Sequence, residues 1–442
     1  MKINQLFKIK DLQTKILLKN SSWVLGSNVL RAVVVFFRGI VIARGLGAEL
    51  FGTLNIIAAF AGLIQQFLGF TIGSAIMKFG ASYFANKEYR MLAALVKGGL
   101  YISALLALVS VLVITGFTLF IYDVFFEDPD LETFVVLFAI ITSTSFIDKI
   151  SKTLLRLLYR FKEDAFIVIG SAVADLIIIG IAVYTYPRDF AAFFYAMLIG
   201  KLLASVLLNG IAFIYVKKLI GSYWNVPIKV LRHQRKALQN YTLNNTGSRV
   251  LRTFMNNGDV LLLGALLGPI PVGFYNIAKK LAQSIMIVID PLTLTLFPQL
   301  SILIAEKKYG EIKVMIRKVT RFTLLPCVAV IVGLFVFRED IIVFAYGIEY
   351  IDAAKPFIYL AINAILGAVL FWHLPLLLSM GLVKLRLQIN AMVLILGATV
   401  AYVITPSLGA TGTAIGLLLA NGSAILIFSA VTYSRLQKGR VE

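Results

Sequence analysis

The sequence predicts an all-α protein that crosses a membrane about twelve times, with its helices arranged as two six-helix bundles. Three observations support this fold class. Apolar residues make up 60% of the 442-residue chain and charged residues only 14%, with a mean hydropathy of +0.90, whereas soluble domains average about 25% charged residues. The apolar residues form runs long enough to cross a bilayer. The second half of the chain also repeats a motif of the first half.

The apolar runs follow a basic N-terminal segment that ends near Lys19. A cleaved signal peptide would be shorter and would end in a small-residue site, so the first run, which continues to about Ala43, is predicted to be a transmembrane helix. Further runs of about 20 residues or more lie near 51–77, 92–121, 132–155, 165–186, 190–216, 240–267, 273–304, 322–338, 357–380, 385–405 and 408–433. Together these runs predict twelve spans.

Positive charge falls on every second connection between the predicted spans. Even-numbered connections such as 149–162 and 217–237 are rich in Lys and Arg, whereas odd-numbered connections such as 122–132 are short or acidic. The positive-inside rule therefore predicts that both termini are cytoplasmic. The net charge of +20 would suggest nucleic acid as the partner of a soluble protein, but here the bilayer explains it and no nucleic acid partner is expected.

The longest basic connection, 217–237, lies at the midpoint of the chain and divides it into two halves. Tyr223 and Trp224 stand among its lysines, a composition typical of a segment that lies on the membrane surface. Recognition of a partner by this segment is an alternative. We therefore predict an N-terminal bundle at 1–218, an interfacial linker at 219–238 and a C-terminal bundle at 239–442.

A motif that joins the first two predicted spans recurs at half-length. LGAELFGTLN at 46–55 is matched by LGPIPVGFYN at 267–276, an offset of 221 residues in a chain of 442. Each half contains six spans, an even number, so both halves enter the membrane from the same side. The repeat is therefore predicted to be parallel, with an axis along the membrane normal.

A polar stripe precedes the second copy of this motif. Its members are spaced i, i+4, i+7, i+11 and i+14: Asn245, Arg249, Arg252, Asn256 and Asp259. On one helix they fall within roughly an 80° arc. Because an Arg at the bilayer centre costs about 2.5–3.5 kcal/mol on insertion scales, the stripe is expected to face water or other ionic groups in a cavity between helices.

The offset of 221 residues places a second stripe on the first helix. It aligns Asn28 with Arg249, Arg31 with Arg252, and Arg38 with Asp259. We expect the two stripes to meet near the symmetry axis and to form a central, net cationic, substrate-binding cavity. Lys280 shares a helical face with Asn276 and is predicted to add to this cavity, whereas its neighbour Lys279 cannot point in the same direction.

Three further ionisable residues lie within apolar runs. Asp175 and Lys201 are isolated in the fifth and sixth spans, and an ion pair between them is the simplest interpretation. Asp290 precedes Pro291, with Pro298 following, a pattern that indicates a helix kink. Asp290 either pairs with a lysine or is a proton or cation site, so all three residues are candidates for ion coupling.

Enzyme and metal chemistry find little support in the sequence. Cys327 is the only cysteine, there are two histidines, and neither a phosphate-binding GxxxxGK[ST] loop nor a zinc-binding HExxH motif is present. We therefore expect no catalytic residues, no metal site and no cofactor.

Three segments resemble one transporter family: NSSWVLGSNVLRAVVVFFRGIVIARGLGAELFGTLN at 20–55, LGPIPVGFYNIAKKL at 267–281 and LGATGTAIG at 408–416. They are similar to the polysaccharide transporter branch of the multidrug/oligosaccharidyl-lipid/polysaccharide (MOP) exporter superfamily, and most closely to Wzx-type flippases. The lipid II flippase branch has two more helices than this chain. Members often have cationic lumens, and Arg31, Arg38, Arg249 and Arg252 match that feature.

The resemblance implies a MATE-like fold of two bundles around a lumen. It also implies alternating-access transport of an undecaprenyl-diphosphate-linked oligosaccharide from the cytoplasmic to the outer leaflet of the bacterial inner membrane, for polymers such as O-antigen or capsule. Other membrane proteins of polysaccharide assembly would be possible partners.

Three other functions remain alternatives. A drug or cation antiporter of the same superfamily should have a cavity dominated by acidic or aromatic groups, whereas cations outnumber Asp259 and Asp290 here. A membrane polymerase or ligase usually needs a sizeable outer loop, and the longest predicted outer connections, 122–132 and 338–356, are short. A non-transporting scaffold would not explain paired ionic stripes.

Overall fold

The computed structural model of the chain describes residues 2–69, 72–125, 131–221, 225–234, 236–239 and 257–438; for some residues in these ranges, including 2–22, only the backbone is described. Every regular element in this part of the chain is a helix, which confirms the all-α prediction. Seven of the described helical segments are long and apolar enough to cross a membrane, and shorter apolar helices accompany them. The protein is therefore a multi-pass membrane protein.

The helices follow the predicted order of spans. The first half contains α1 (Lys2–Leu68), α2 (Ile72–Ala85), α3 (Tyr89–Phe125), α4 (Leu131–Ser143), α5 (Ser145–Leu157), α6 (Phe161–Thr185) and α7 (Phe190–Ile220). A 3₁₀ helix at Ile228–Gln234 lies in the linker. The second half contains α8 (Asn257–Leu267), α9 (Pro269–Ser284), α10 (Asp290–Ala305), α11 (Tyr309–Val336), α12 (Arg338–Tyr346), α13 (Ala354–Val369), α14 (His373–Ser379), α15 (Val383–Leu408) and α16 (Ala410–Lys438).

Left-handed backbone turns recur at half-length spacing. Positive φ values occur at Gly47, Lys87, Tyr159 and Arg188 in the first half, and at Gly268, Lys307, Gly381 and Gly409 in the second. Gly347 also has positive φ, and its half-length counterpart, position 126, lies outside the described residues. The corresponding members of these two sets are 221, 220, 222 and 221 residues apart. These turns end the helices on each side of them, so the repeat predicted from one sequence motif extends through the backbone of both halves.

The two motif glycines show why the repeat keeps glycine at this turn. Gly47 has φ 78° and Gly268 has φ 76°, a region that a residue with a Cβ adopts only at a cost. At Gly47 the turn divides α1 into the first predicted span and the start of the second. At Gly268 it separates α8 from α9.

The chain divides into two compact units. The first comprises Met1–Leu46 and Phe60–Phe254, and the second comprises Gly47–Ala59 and Met255–Glu442. The segment 47–59, which carries the first motif, thus packs with the second half of the chain. The bundle boundaries at 218 and 239 remain a prediction.

Within the second unit, the two motif copies pack backbone against backbone. A Cβ on Gly52 would overlap the carbonyl oxygen of Pro269 and lie 3.0 Å from the amide nitrogen of Gly273. A Cβ on Gly273 would overlap the carbonyl oxygen of Ala48. Glycine is therefore required at Gly52 and Gly273 because no side chain fits between the two segments.

A carboxylate and an aromatic cluster complete this contact. The Ala48 amide, at the start of the helical segment after Gly47, donates to Glu349 Oε1 at 3.0 Å. The ring of Tyr350 meets Phe51 and Phe274 edge to face, with centroids 6.3 and 6.2 Å apart, and Tyr350 and Phe51 are almost fully buried. Glu349 thus supplies a cap to a helix start that is distant in sequence.

Replacing this cap is expected to destabilise the second unit. Glu349→Ala removes the charged acceptor of the Ala48 amide, which costs about 1–3 kcal/mol and should lower the melting temperature of the purified protein. Glu311→Ala is the matched control, since Glu311 is exposed and its one ion pair with a described residue, Lys308, is long at 3.9 Å. Equal melting temperatures for the two variants would contradict the capping role.

Candidate functional site

The first-helix stripe divides into exposed and paired members. Asn28 and Arg31 are exposed, and no described residue forms an ion pair with Arg31. Arg38 lies two turns further along α1 and forms an ion pair with Asp175 of α6. The rings of Trp23 and Phe166, 5.8 Å apart, also join these two helices. Arg38 is therefore neutralised inside the first unit.

Asp259, at the start of α8, is held by several donors of the second unit. Lys279 Nζ donates to both carboxylate oxygens, at 2.9 and 2.6 Å, and the Tyr275 hydroxyl donates at 2.5 Å. The amide of Val260 donates to Oδ1 at 2.9 Å. The side chains of Lys279 and Asp259 are only 13% and 9% exposed, so this is a buried ion pair with its acceptor oxygens satisfied.

Arg38 and Asp259 occupy equivalent positions of the repeat, and each is neutralised within its own unit. The sign of the charge differs, but in both cases the partner comes from a neighbouring helix, α6 or α9. Neither residue adds net charge to a cavity. The net positive charge of the stripes stays a prediction, and it depends on Arg31, Arg249 and Arg252.

Lys280 takes a different environment from its neighbour Lys279. Its ammonium group lies 4.6 Å from the centroid of the Phe51 ring, which favours a cation–π interaction. Asn276, predicted to share a face with Lys280, is buried and donates its amide to the Val272 carbonyl at 3.0 Å. Asn276 is therefore occupied by its own helix, and Lys279 is the residue that binds Asp259.

The predicted ion pair between Asp175 and Lys201 is wrong. Lys201 Nζ instead donates to Asp148 Oδ2 at 2.6 Å, and Asp175 binds Arg38. Asp175 does contact α7, but at Gly200, where a Cβ would lie 2.5 Å from Asp175 Oδ1. Lys201 is one residue further and about 100° around the helix, so it is directed towards α5.

Asp148 is the centre of a polar network between α5 and α7. Ser205 donates to its Oδ2 at 2.9 Å and Asn209 donates to its Oδ1 at 3.0 Å. The Ser151 hydroxyl donates to the side-chain Oδ1 of Asn209 at 2.5 Å. The network satisfies a carboxylate that is 12% exposed, and it gives Lys201 a structural partner.

The remaining candidates are not described at the level of side chains. Asn245, Arg249, Arg252 and Asn256 lie outside the described residues. Asp290 begins α10 directly after a 3₁₀ turn at Ile285–Val288, which agrees with the predicted kink, but its side chain is also outside the description. Among described residues, no group of three or more metal-binding side chains is present.

Sequence reasoning missed two ion-pair partners, Asp148 and Lys279. For Lys279 a signal existed, because Tyr275 and Lys279 are spaced i, i+4 and so share a helical face. For Asp148 a weaker signal existed, because Ser205 and Asn209 also show this spacing and could hydrogen-bond a carboxylate. In both cases the residue spacing indicates a polar helix face but does not show which other helix this face contacts.

The fold is similar to that of solved membrane transporters. An inward-facing multidrug resistance MATE family transporter of the MOP superfamily matches with a TM-score of 0.71 at 14% identity, covering 93% of this chain and 95% of that one. The lipid II flippase MurJ, in an inward closed conformation, matches with a TM-score of 0.67 at 14% identity, covering 94% and 89%. An outward-facing MATE transporter matches with a TM-score of 0.60. The predicted MATE-like fold is confirmed.

The sequence itself matches a family model over residues 17–304, and the family is described as polysaccharide biosynthesis protein. None of the curated proteins matches this sequence. The family match covers well over half of the chain and includes the first-helix stripe and both motif copies. The chain therefore belongs to the polysaccharide biosynthesis protein family, and it has the fold of the MOP superfamily transporters.

Proposed function

We propose that this protein flips an undecaprenyl-diphosphate-linked oligosaccharide repeat unit from the cytoplasmic to the outer leaflet by alternating access. The product would supply a surface polysaccharide such as O-antigen or capsule. The protein would lie in the bacterial inner membrane with both termini cytoplasmic, as the alternation of basic connections favours. Other membrane proteins of polysaccharide assembly are the expected partners.

The observation that carries this proposal is the combination of family and fold. The chain belongs to a polysaccharide biosynthesis family, and its fold matches a lipid II flippase over 94% of its length. A flippase of a lipid-linked glycan satisfies both facts. The solved proteins with this fold are transporters. This likeness favours transport over catalysis for a member of a polysaccharide family.

The chemistry of the first helix supports an anionic substrate. Arg31 is exposed and makes no ion pair with a described residue, whereas Arg38 is held by Asp175. A guanidinium group forms paired, charge-assisted hydrogen bonds with phosphate oxygens. We therefore assign diphosphate binding to Arg31, to its repeat-related counterpart Arg252 and to Arg249, the counterpart of Asn28.

The other stripe members take secondary roles in this proposal. Asn28, which is exposed, and the predicted Asn245 and Asn256 would bind sugar hydroxyls. Arg38 and Asp259 would support the helices through their ion pairs. The polyprenyl chain can remain in lipid while the polar head crosses, so no apolar tunnel is required.

Alanine substitutions test this division of roles. Arg31→Ala, Arg249→Ala and Arg252→Ala should each reduce export of surface glycan in cells by about tenfold, since a lost charged hydrogen bond costs about 1.5–3 kcal/mol. The triple variant should abolish export. Arg90→Ala is the matched control because Arg90 is exposed on a predicted cytoplasmic connection. Full export by the triple variant at normal expression would refute the proposal.

A drug or cation antiporter is the second candidate, because the fold also matches multidrug MATE transporters. A cation antiporter would use a carboxylate in its cavity, and Asp175 and Asp259 are bound to Arg38 and Lys279. This leaves Asp290, whose side chain is not among those described, as the candidate for that role. The same strains separate the two functions. Unchanged surface glycan together with increased sensitivity to cationic drugs in the triple variant would favour the antiporter.

A further inference from the structure

A large apolar groove lies inside the first unit, between α2, α3 and the 3₁₀ helix of the linker. Its volume is about 930 Å³. Ile72 and Ala75 of α2 and Gly98, Gly99 and Ile102 of α3 form its walls. Gly98 is directed towards the linker, where a Cβ would meet Ile228, whereas Gly99 is directed towards Ile76 of α2.

The linker is fixed over this groove by specific contacts. Leu231 is 7% exposed and packs into the core of the first unit. The Tyr83 hydroxyl of α2 donates to the Gln234 side chain. A Cβ on Gly98 would lie 3.6 Å from the Ile228 side chain, which is an ordinary van der Waals distance, so the linker helix lies directly beside α3 at this position.

Two cations line the mouth of the groove. Lys229 and Arg232 of the linker helix are both lining residues and exposed. No described residue forms an ion pair with either of them, and no described carboxylate lines the groove. The groove thus combines apolar walls with an unbalanced positive rim.

The second unit provides an internal comparison. A groove of about 850 Å³ between α10 and α11 is lined at the equivalent repeat positions, since Leu296, Val319 and Thr323 correspond to Ala75, Gly98 and Ile102. That groove carries both Glu311 and Lys318. Its mixed charge does not favour an anion, so the positive rim is specific to the first unit and comes from the linker.

We propose that the groove of the first unit binds one anionic phospholipid, with an acyl chain against α2 and α3 and the phosphate between Lys229 and Arg232. Leu95 and Ile102 both line the groove, and seven residues of helix span about 10 Å. This depth fits within one leaflet, whose hydrocarbon part is about 15 Å thick. A polyprenyl carrier shares the phosphate chemistry, but its chain is far longer than the groove. The proposal does not depend on the transported substrate.

Native mass spectrometry of the purified full-length protein tests this binding. Wild-type protein is expected to retain phosphatidylglycerol in preference to phosphatidylcholine. The double variant Lys229→Ala/Arg232→Ala should weaken phosphatidylglycerol binding by about tenfold or more, because two basic side chains near a lipid phosphate are lost. The double variant Lys217→Ala/Lys218→Ala is the matched control, since it removes two exposed lysines at the end of α7, outside the groove.

A groove-filling variant tests the apolar part separately. Gly98→Leu keeps every charge but places a side chain in the groove, so it should also reduce phosphatidylglycerol binding. Size-exclusion profiles check that each variant remains folded, and Lys229→Ala/Arg232→Ala changes only exposed side chains. Equal binding of both phospholipids, equal loss in the control variant, or preferential retention of undecaprenyl phosphate over phosphatidylglycerol would overturn the proposal.

Discussion

Gly52→Ala is expected to prevent the second unit from packing correctly. The new methyl group would overlap the carbonyl oxygen of Pro269, and the neighbour is backbone, which cannot rotate away. Overpacking of a side chain costs about 1–3 kcal/mol, and overlap with a fixed backbone should cost at least the upper end of this range. Gly273→Ala is expected to behave alike, because its methyl group would overlap the Ala48 carbonyl oxygen.

The measurement is the yield of monodisperse protein and its melting temperature. Gly62→Ala is the matched control, since Gly62 also lies in α1 and a Cβ there meets no heavy atom within 4 Å. Alanine is favoured over glycine in a helix by up to about 1 kcal/mol, so this control should be neutral or slightly stabilising. A Gly52→Ala protein as stable as the control would show that the motif copies do not pack as described.

Lys279→Met is expected to destabilise the protein strongly, whereas the double variant Asp259→Asn/Lys279→Met should recover most of the loss. The single change leaves the carboxylate of Asp259 without its cation in a site where it is 9% exposed. Breaking a buried ion pair from one side costs about 3–5 kcal/mol, while replacing both partners by neutral groups is often tolerated. The Tyr275 hydroxyl can still donate to the asparagine oxygen.

Lys308→Met is the matched control for this pair. Lys308 binds Glu306 at 2.9 Å, but both side chains are about half exposed, and exposed pairs contribute little. Thermal unfolding should therefore separate Lys279→Met from Lys308→Met clearly. If Asp259 has only a supporting role, the double variant should also export glycan. If the double variant is stable but does not export glycan, we would infer that Asp259 belongs to the substrate site.

Much of the fold could be predicted because transmembrane helices are encoded locally. Apolar runs long enough to cross a bilayer set the helices, and the glycines of the repeated motif mark turns that need positive φ, as Gly47 and Gly268 show. The half-length offset also relates Arg38 to Asp259 through residue spacing alone. These features depend on residues that are close in sequence or on a comparison of the chain with itself.

The contacts of the motif glycines could not be predicted in the same way. The sequence indicates turns at Gly47 and Gly268, but it does not show that Gly52 meets the backbone of Pro269 or that Glu349 caps the helix at Ala48. Nor does it show that 47–59 packs with the second half of the chain. Such contacts join residues that are far apart in sequence, and no local sequence pattern encodes them.

The sequence alone determined the all-α membrane fold, the parallel repeat and which apolar runs contain charged residues, because hydrophobicity and helical periodicity are local properties. Only the tertiary structure decided how those charges are balanced. Arg38 binds Asp175 across 137 residues and Lys201 binds Asp148 across 53, pairings set by the rotation and depth of each packed helix. A buried charge takes the oppositely charged partner that packing places within reach, so Asp175 and Lys201, both near Gly200, remain apart.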